Sequence, residues 1–184
     1  MRLNLLLVAG APLALALSAC GGETVVDDPS DPEQIAQAMG QLPEPQAGEY
    51  SMKGELVELA IPGASEEEMG MMRGMMEAGL KAGQTFCMTE EMAKNGYKEW
   101  LTQSQNVPEG CEFSEYKTTS ESFDATLACN NPDGTNGTVK LTGTVTSTSQ
   151  DMRMEMDMTS PDQGPGSMRM VMETQTTRTG ECAA

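Results

Sequence analysis

The chain has 184 residues, with 11 Lys and Arg against 28 Asp and Glu, no His, 17 Met, 5 Cys and a formal charge of −17. Charge this negative repels phosphate backbones, which argues against nucleic acid as a partner. Without His the chain lacks the usual general base, the Ser-His-Asp triad and the commonest metal ligand, and its length fits one domain.

A short positive start, Met1-Arg2, precedes an apolar run from Leu3 to Leu17. The run is short for a membrane span and has the build of an export signal over residues 1–19. It ends in Leu17-Ser18-Ala19-Cys20, followed by Gly21-Gly22. This resembles a bacterial lipobox, in which the Cys20 thiol takes a diacylglycerol and becomes the new N-terminus. Two or three acyl chains anchor stably, since each buried CH₂ contributes about 0.8 kcal/mol. The expected partner of the anchor is therefore a membrane. The expected location is its periplasmic side, at the outer membrane by the Gly after the Cys. Residues 20–43 read as the lipidated Cys, a flexible acidic tether from Gly21 to Ser30, and a short helix. Asp31-Pro32-Glu33 supplies that helix with an N-cap, a proline in its first turn and an acid at its positive end. Gly40 ends it after Met39.

Residues 44–184 read as a disulfide-bonded, β-rich domain. Glu49 to Ala60 alternates as a strand, with Tyr50, Met52, Gly54 and Leu56 on one face. The phase then shifts to Val57, Leu59 and Ile61, which predicts a bulge. Ser65 and Glu68 form a capping-box pattern, and Met69, Met72, Met76 and Leu80 follow at helical spacing. Gly70, Gly74 and Gly79 weaken that helix by about 1 kcal/mol each. Thr89 to Asn95 predicts another short helix, stopped at Gly96. From Cys111 the pattern is an antiparallel meander: 112–117, 122–129, 138–146, 152–158 and 168–178, with a turn at Asn131-Pro132-Asp133-Gly134.

The pattern also predicts register. A turn at Ser147–Gln150 places Val145 opposite Met152, Gly143 opposite Met154, Leu141 opposite Met156, Val139 opposite Met158 and Lys140 opposite Asp157. Across the loop containing Pro161 and Pro165, Met158 meets Met168, Met156 meets Met170 and Met154 meets Met172. Asp157 then meets Arg169, and Arg153 meets Glu173. Such pairs contribute only about 0.2–1 kcal/mol each, but their agreement supports the register.

Four Cys remain beside Cys20, and an even count in an exported chain reads as two disulfides. Closing the hairpin near residue 120 sets Cys111 opposite Cys129 and Phe113 opposite Leu127. It also sets Glu115 against Ala125 on the apolar side, a local conflict. Cys87 is left for Cys182.

PEPQAGEYSMKGEL, TFCMTEEMAKNG, EGCEFSEYKTTSESFDATLAC, the strand GTVKLTGTV before MRMEMDM, and the closing TRTGEC together resemble the proteobacterial DUF3617 family over Pro43 to Cys182. Order and Cys spacing carry the resemblance; Glu49-Tyr50 stands where the family usually has Trp after its Gly. The resemblance implies an exported, disulfide-bonded, β-rich protein, and it brings no catalytic residues.

The methionines are the unusual chemistry. Thioethers are soft ligands suited to Cu(I), and Met69, Met71, Met72, Met75 and Met76 lie close enough in sequence to supply three. The strand methionines read as core, since they alternate and face Val and Leu. The expected fold is mainly β: a curved, half-barrel-like antiparallel meander with two or three short helices and a Met, Val and Leu inner face. The expected function is a non-enzymatic, lipid-anchored binding or interaction module, with an apolar ligand or an envelope protein as its partner and no cofactor implied. A periplasmic Cu(I)-binding or metal-stress protein is the alternative. Mass spectrometry of peptides under non-reducing conditions is expected to recover the Cys111–Cys129 and Cys87–Cys182 links and no others.

Overall fold

The computed structural model describes residues 22–102 (backbone only for 97–102), 110–132, 134–159 and 167–183. The apolar run, Cys20 and the loop containing Pro161 and Pro165 lie outside the described residues.

The alternating segments form one open antiparallel sheet. Its strands are β1 (Thr24–Val25), β2 (Gly48–Ala60), β3 (Gln84–Met88), β4 (Cys111–Thr118), β5 (Ser122–Asn130), β6 (Asn136–Val145), β7 (Ser149–Thr159) and β8 (Ser167–Gly180). They lie in the order β1-β4-β5-β6-β7-β8-β2-β3. Three helices accompany the sheet: α1 (Pro32–Met39), α2 (Glu66–Ala82) and α3 (Glu90–Thr102). Side chains alternate sides along a strand and directly paired residues share a side. One face thus collects Tyr116, Ala125, Leu127, Val139 and Leu56, all buried, and the other collects charge. The fold is mainly β, as the alternation predicts.

Helices cover the apolar face. Ile35, Ala38 and Met39 of α1 pack with Val26 on Tyr116 and Ala125. The Asp31 side chain caps α1 by accepting from the Glu33 N–H at 2.9 Å. In α2 both halves of the capping box form, and Leu80 lies over Gly54, where a Cβ would come within 2.7 Å of it. The α2 glycines have no such reason: a Cβ at Gly70, Gly74 or Gly79 would meet nothing within 4 Å. In α3 the chain kinks at Gly96 (φ 54°), so the short helix stops where expected and a second piece follows.

The segment expected as a tether is folded. Thr24 and Val25 pair with Thr118 and Lys117, Val26 donates its N–H to the Tyr116 carbonyl at 3.0 Å, and Val26 and Leu42 are buried. Val26, an amphipathic helix and Leu42 bury enough apolar surface to outweigh the acidic composition around them, although Val25 stays exposed.

The β7–β8 ladder has the predicted register, with Met158, Met156 and Met154 opposite Met168, Met170 and Met172. Between β6 and β7 the register differs by two residues. Gly143 faces Met152, Leu141 faces Met154, Val139 faces Met156 and Lys140 faces Glu155. The cause is the turn: Thr146 Oγ1 accepts the N–H groups of Thr148 and Ser149, at 3.2 and 2.9 Å, so Thr146 closes on Ser149, two residues before Asp151. A two-residue slip leaves every side chain on its own face, so face patterning cannot detect it. Lys140 consequently pairs with Asp124 of β5, at 3.5 Å, rather than with Asp157. The Phe123 ring, not Met154, fills the space above Gly143.

Of three register shifts among the described strands, one falls between Glu49 and Tyr50 and two re-aim side chains. Of these two, one leaves Val57 exposed and returns Leu59 to the apolar side. The other, between Phe113 and Glu115, resolves the Glu115 conflict by setting Tyr116 opposite Ala125. Both disulfides form as expected. Cys111 and Cys129 are directly paired, with Cα atoms 3.9 Å apart, and Cys87 joins Cys182 across 95 residues. Strand β3, absent from the sequence reading, is held by that link and by Phe86 stacking on Tyr50 at 5.7 Å.

Tyr116 is 1 % exposed, and its hydroxyl finds no partner among the described residues. Burial also pushes its pKa upward. Tyr116→Phe removes an unsatisfied polar group and is expected to raise the urea midpoint, by about 1 kcal/mol of stability. Ile35→Ala is expected to cost about 2–5 kcal/mol, because α1 is part of the core; a loss below 1 kcal/mol in the same denaturation assay would show that α1 is only appended.

Candidate functional site

A broad concavity runs across β5, β6, β7, β8 and β2, with a volume of about 720 Å³. Asp124, Thr142, Arg153, Glu173 and Glu55 follow one another across it by direct pairing, and Asp151, Gln175 and Lys53 stand in the next row. These are the charged-face positions. The next residues on the opposite face, Leu141, Met154 and Met172, do not line it, and of the strand methionines only Met152 reaches its wall. The concave side is therefore the charged side, not the Met, Val and Leu side expected from sequence. Alternation defines two faces but not the direction of bending, and α1 and α2 occupy the apolar one.

Next to the trough, two arginines organise four carboxylates. Arg169 reaches Asp157 at 2.6 Å, Glu155 at 2.9 Å and Glu58 at 3.3 Å. Arg153 reaches Glu155 at 3.0 Å and Glu173 at 2.5 Å. Glu155 is the shared carboxylate, and hydrogen bonds from Arg153 and then Arg169 hold its pKa below the ordinary value. The hydrogen bond to Asp157 leads those that raise Arg169. Fully buried Val171, paired with both Glu155 and Glu58, sits within this network. Further into the trough, Gln175 donates to Asp151 at 2.9 Å. The arrangement engages the two arginines with all four carboxylates at once. Sequence reasoning found the Asp157–Arg169 and Arg153–Glu173 pairs but not the trough. The signal missed was the convergence of both arginines on Glu155.

The methionine cluster of α2 is divided. Met69, Met72 and Met76 are half-buried, whereas Met71 and Met75 are 63 % and 65 % exposed, one turn apart. Helical spacing sends the five thioethers to two sides of the helix.

Residues 45–182 match the family model described as Protein of unknown function, DUF3617. The chain belongs to this family. The DUF3617 match takes in β2 to β8, α2, α3 and all four disulfide cysteines, and leaves β1 and α1 outside. Comparison with curated proteins and with solved structures gave no match.

The lowered Glu155 pKa fixes the sign of a pH effect. Its contribution to stability is complete above the ordinary value of 4.5 and is lost as pH falls through the lowered one. The urea midpoint of an Arg153→Gln, Arg169→Gln variant is expected to lie below wild type at neutral pH, with the gap closing below pH 4.5.

Proposed function

We propose that this DUF3617 protein is a lipid-anchored binding module of the cell envelope, facing the periplasm, and that its trough takes a polar ligand without chemical turnover. The trough is the observation that carries the reading. Five strands contribute to one concave surface, on which Arg153 is fixed against Glu173 and Asp124 against Lys140 beside it, as in a recognition surface with positioned charges. The anchor is supported by the order of positive start, apolar run and Leu17-Ser18-Ala19-Cys20.

Two measurements test this. Intact mass should show the acylated Cys20, and Cys20→Ser should abolish flotation with membranes. Native mass spectrometry of protein purified from its own envelope should show a small polar molecule. Thr142→Trp, which fills the trough, should lose it. A wild-type protein that carries nothing, or a ligand kept equally by both proteins, overturns the trough reading.

Exposed Met71 and Met75 favour a second reading, a Cu(I) site with two thioethers from consecutive turns. Titration against a chromogenic Cu(I) chelator is expected to separate wild type from Met71→Leu, Met75→Leu if copper binds there. Equal affinity ends that reading.

A further inference from the structure

The fold brings two turns of the same build to one end of the sheet. In Thr119-Ser120-Glu121-Ser122, the Thr119 N–H donates to the Ser122 carbonyl at 2.9 Å, and Thr119 Oγ1 accepts the N–H groups of Glu121 and Ser122 at 3.1 and 3.0 Å. In Thr146-Ser147-Thr148-Ser149, the Thr146 N–H donates to the Ser149 carbonyl at 2.8 Å, and Thr146 Oγ1 accepts from Thr148 and Ser149. The hydroxyls of Thr119 and Ser122 lie 2.8 Å apart, and those of Thr146 and Ser149 2.9 Å apart. The turns are neighbours, since the Val145 N–H donates to the Glu121 carbonyl at 2.8 Å. Side-chain and backbone bonds together fix the shape of both turns.

The N-terminal strand enters at this same end. Thr24 pairs with Thr118, the residue before the first turn, and β1 runs from there down the sheet. Cys20 is four Cα steps from Thr24, at most about 15 Å of chain. From Thr118 to Ser122 and from Thr144 to Gln150, Glu121 is the one charged residue, in a chain that carries 28 acids. Glu23 before β1 and the Arg178–Glu181 pair beside the second turn flank this end, so the turn tips are its charge-poor part and meet least repulsion from anionic headgroups.

We propose that the two Thr-x-x-Ser turns form the face that rests against the headgroup surface of the bilayer, so that the sheet stands upright on a short leash. The proposal rests on the lipid-anchor reading. It sets the opposite end of β5, at Asn130, on the order of 25–30 Å further from the membrane.

The test uses full-length lipidated protein in vesicles of phosphatidylethanolamine and phosphatidylglycerol containing a headgroup-nitroxide lipid. In a Trp100→Phe background, single tryptophans are placed by Ser120→Trp, Ser147→Trp or Asn130→Trp, with both disulfides checked by mass in each variant. The expected result is strong quenching at 120 and 147 and none at 130. Equal quenching at both ends, quenching confined to 130, or no quenching in protein that co-floats with the vesicles overturns the proposal. A flexible Gly/Ser insert of about 20 residues after Gly22 should abolish the contrast while flotation persists. A contrast that survives the insert overturns the leash. If intact mass shows no acylation and wild type fails to float, the anchor reading itself falls and this inference with it.

Discussion

The ladder between β7 and β8 is the constraint on which the other positions depend. Methionine stands opposite methionine on one side of it, and arginine opposite acid on the other, at consecutive positions. Each pair alone is weak, because the charges are half-exposed and screened. Their strength lies in agreement: a one-residue slip of β7 would move its four methionines onto the charged face and Arg153 onto the apolar one. With that register set, β6 and β2 take their places on either side, and the bulge at Val57 keeps Leu59 on the covered face. The trough and the methionine-packed core are the two sides of this single alternation.

Those sides differ in how firmly they are built. Near β4 and β5, α1 seals Tyr116, Ala125 and Ile35 from water, and the Cys111–Cys129 link lies in the adjoining cluster with Leu127 and Val139. Near β2, α2 docks through Leu80 on Gly54, has no fully buried residue, and carries three glycines whose positions no packing requires. Local opening is cheapest where few apolar contacts are made. The α2 side is therefore the compliant part of the molecule, and the α1 side with its disulfide is the rigid part.

Strand positions, capped helices and both disulfides were legible because each rests on local chemistry or on simple pairing arithmetic. The capping residues Asp31 and Ser65 announce their helices, and Cys111 opposite Cys129 follows from hairpin closure. The β6–β7 register was not legible, since a Thr side chain closing its own turn shifts the pairing by two without disturbing either face. The short β1 escaped because two residues carry no periodicity. Strand β3 escaped because its place depends on Cys182 and on Tyr50, both distant in sequence. The trough needed the direction of curvature, which is a property of the assembled sheet. Of the five α2 methionines, sequence grouped them by proximity, whereas the helix sorts them by face.

The Cys87–Cys182 link has a consequence for the order of assembly. It fastens β3, the strand that closes the sheet beside the thirteen-residue β2, to the residues just beyond β8. Until Cys182 is oxidised together with Cys87, the backbone edge of β2 from Gly48 to Met52 depends on a five-residue strand without its staple. An open edge of that length is a template for pairing with other chains. The reduced protein is thus most exposed to mispairing along this margin, and oxidation of the Cys87–Cys182 pair fastens it.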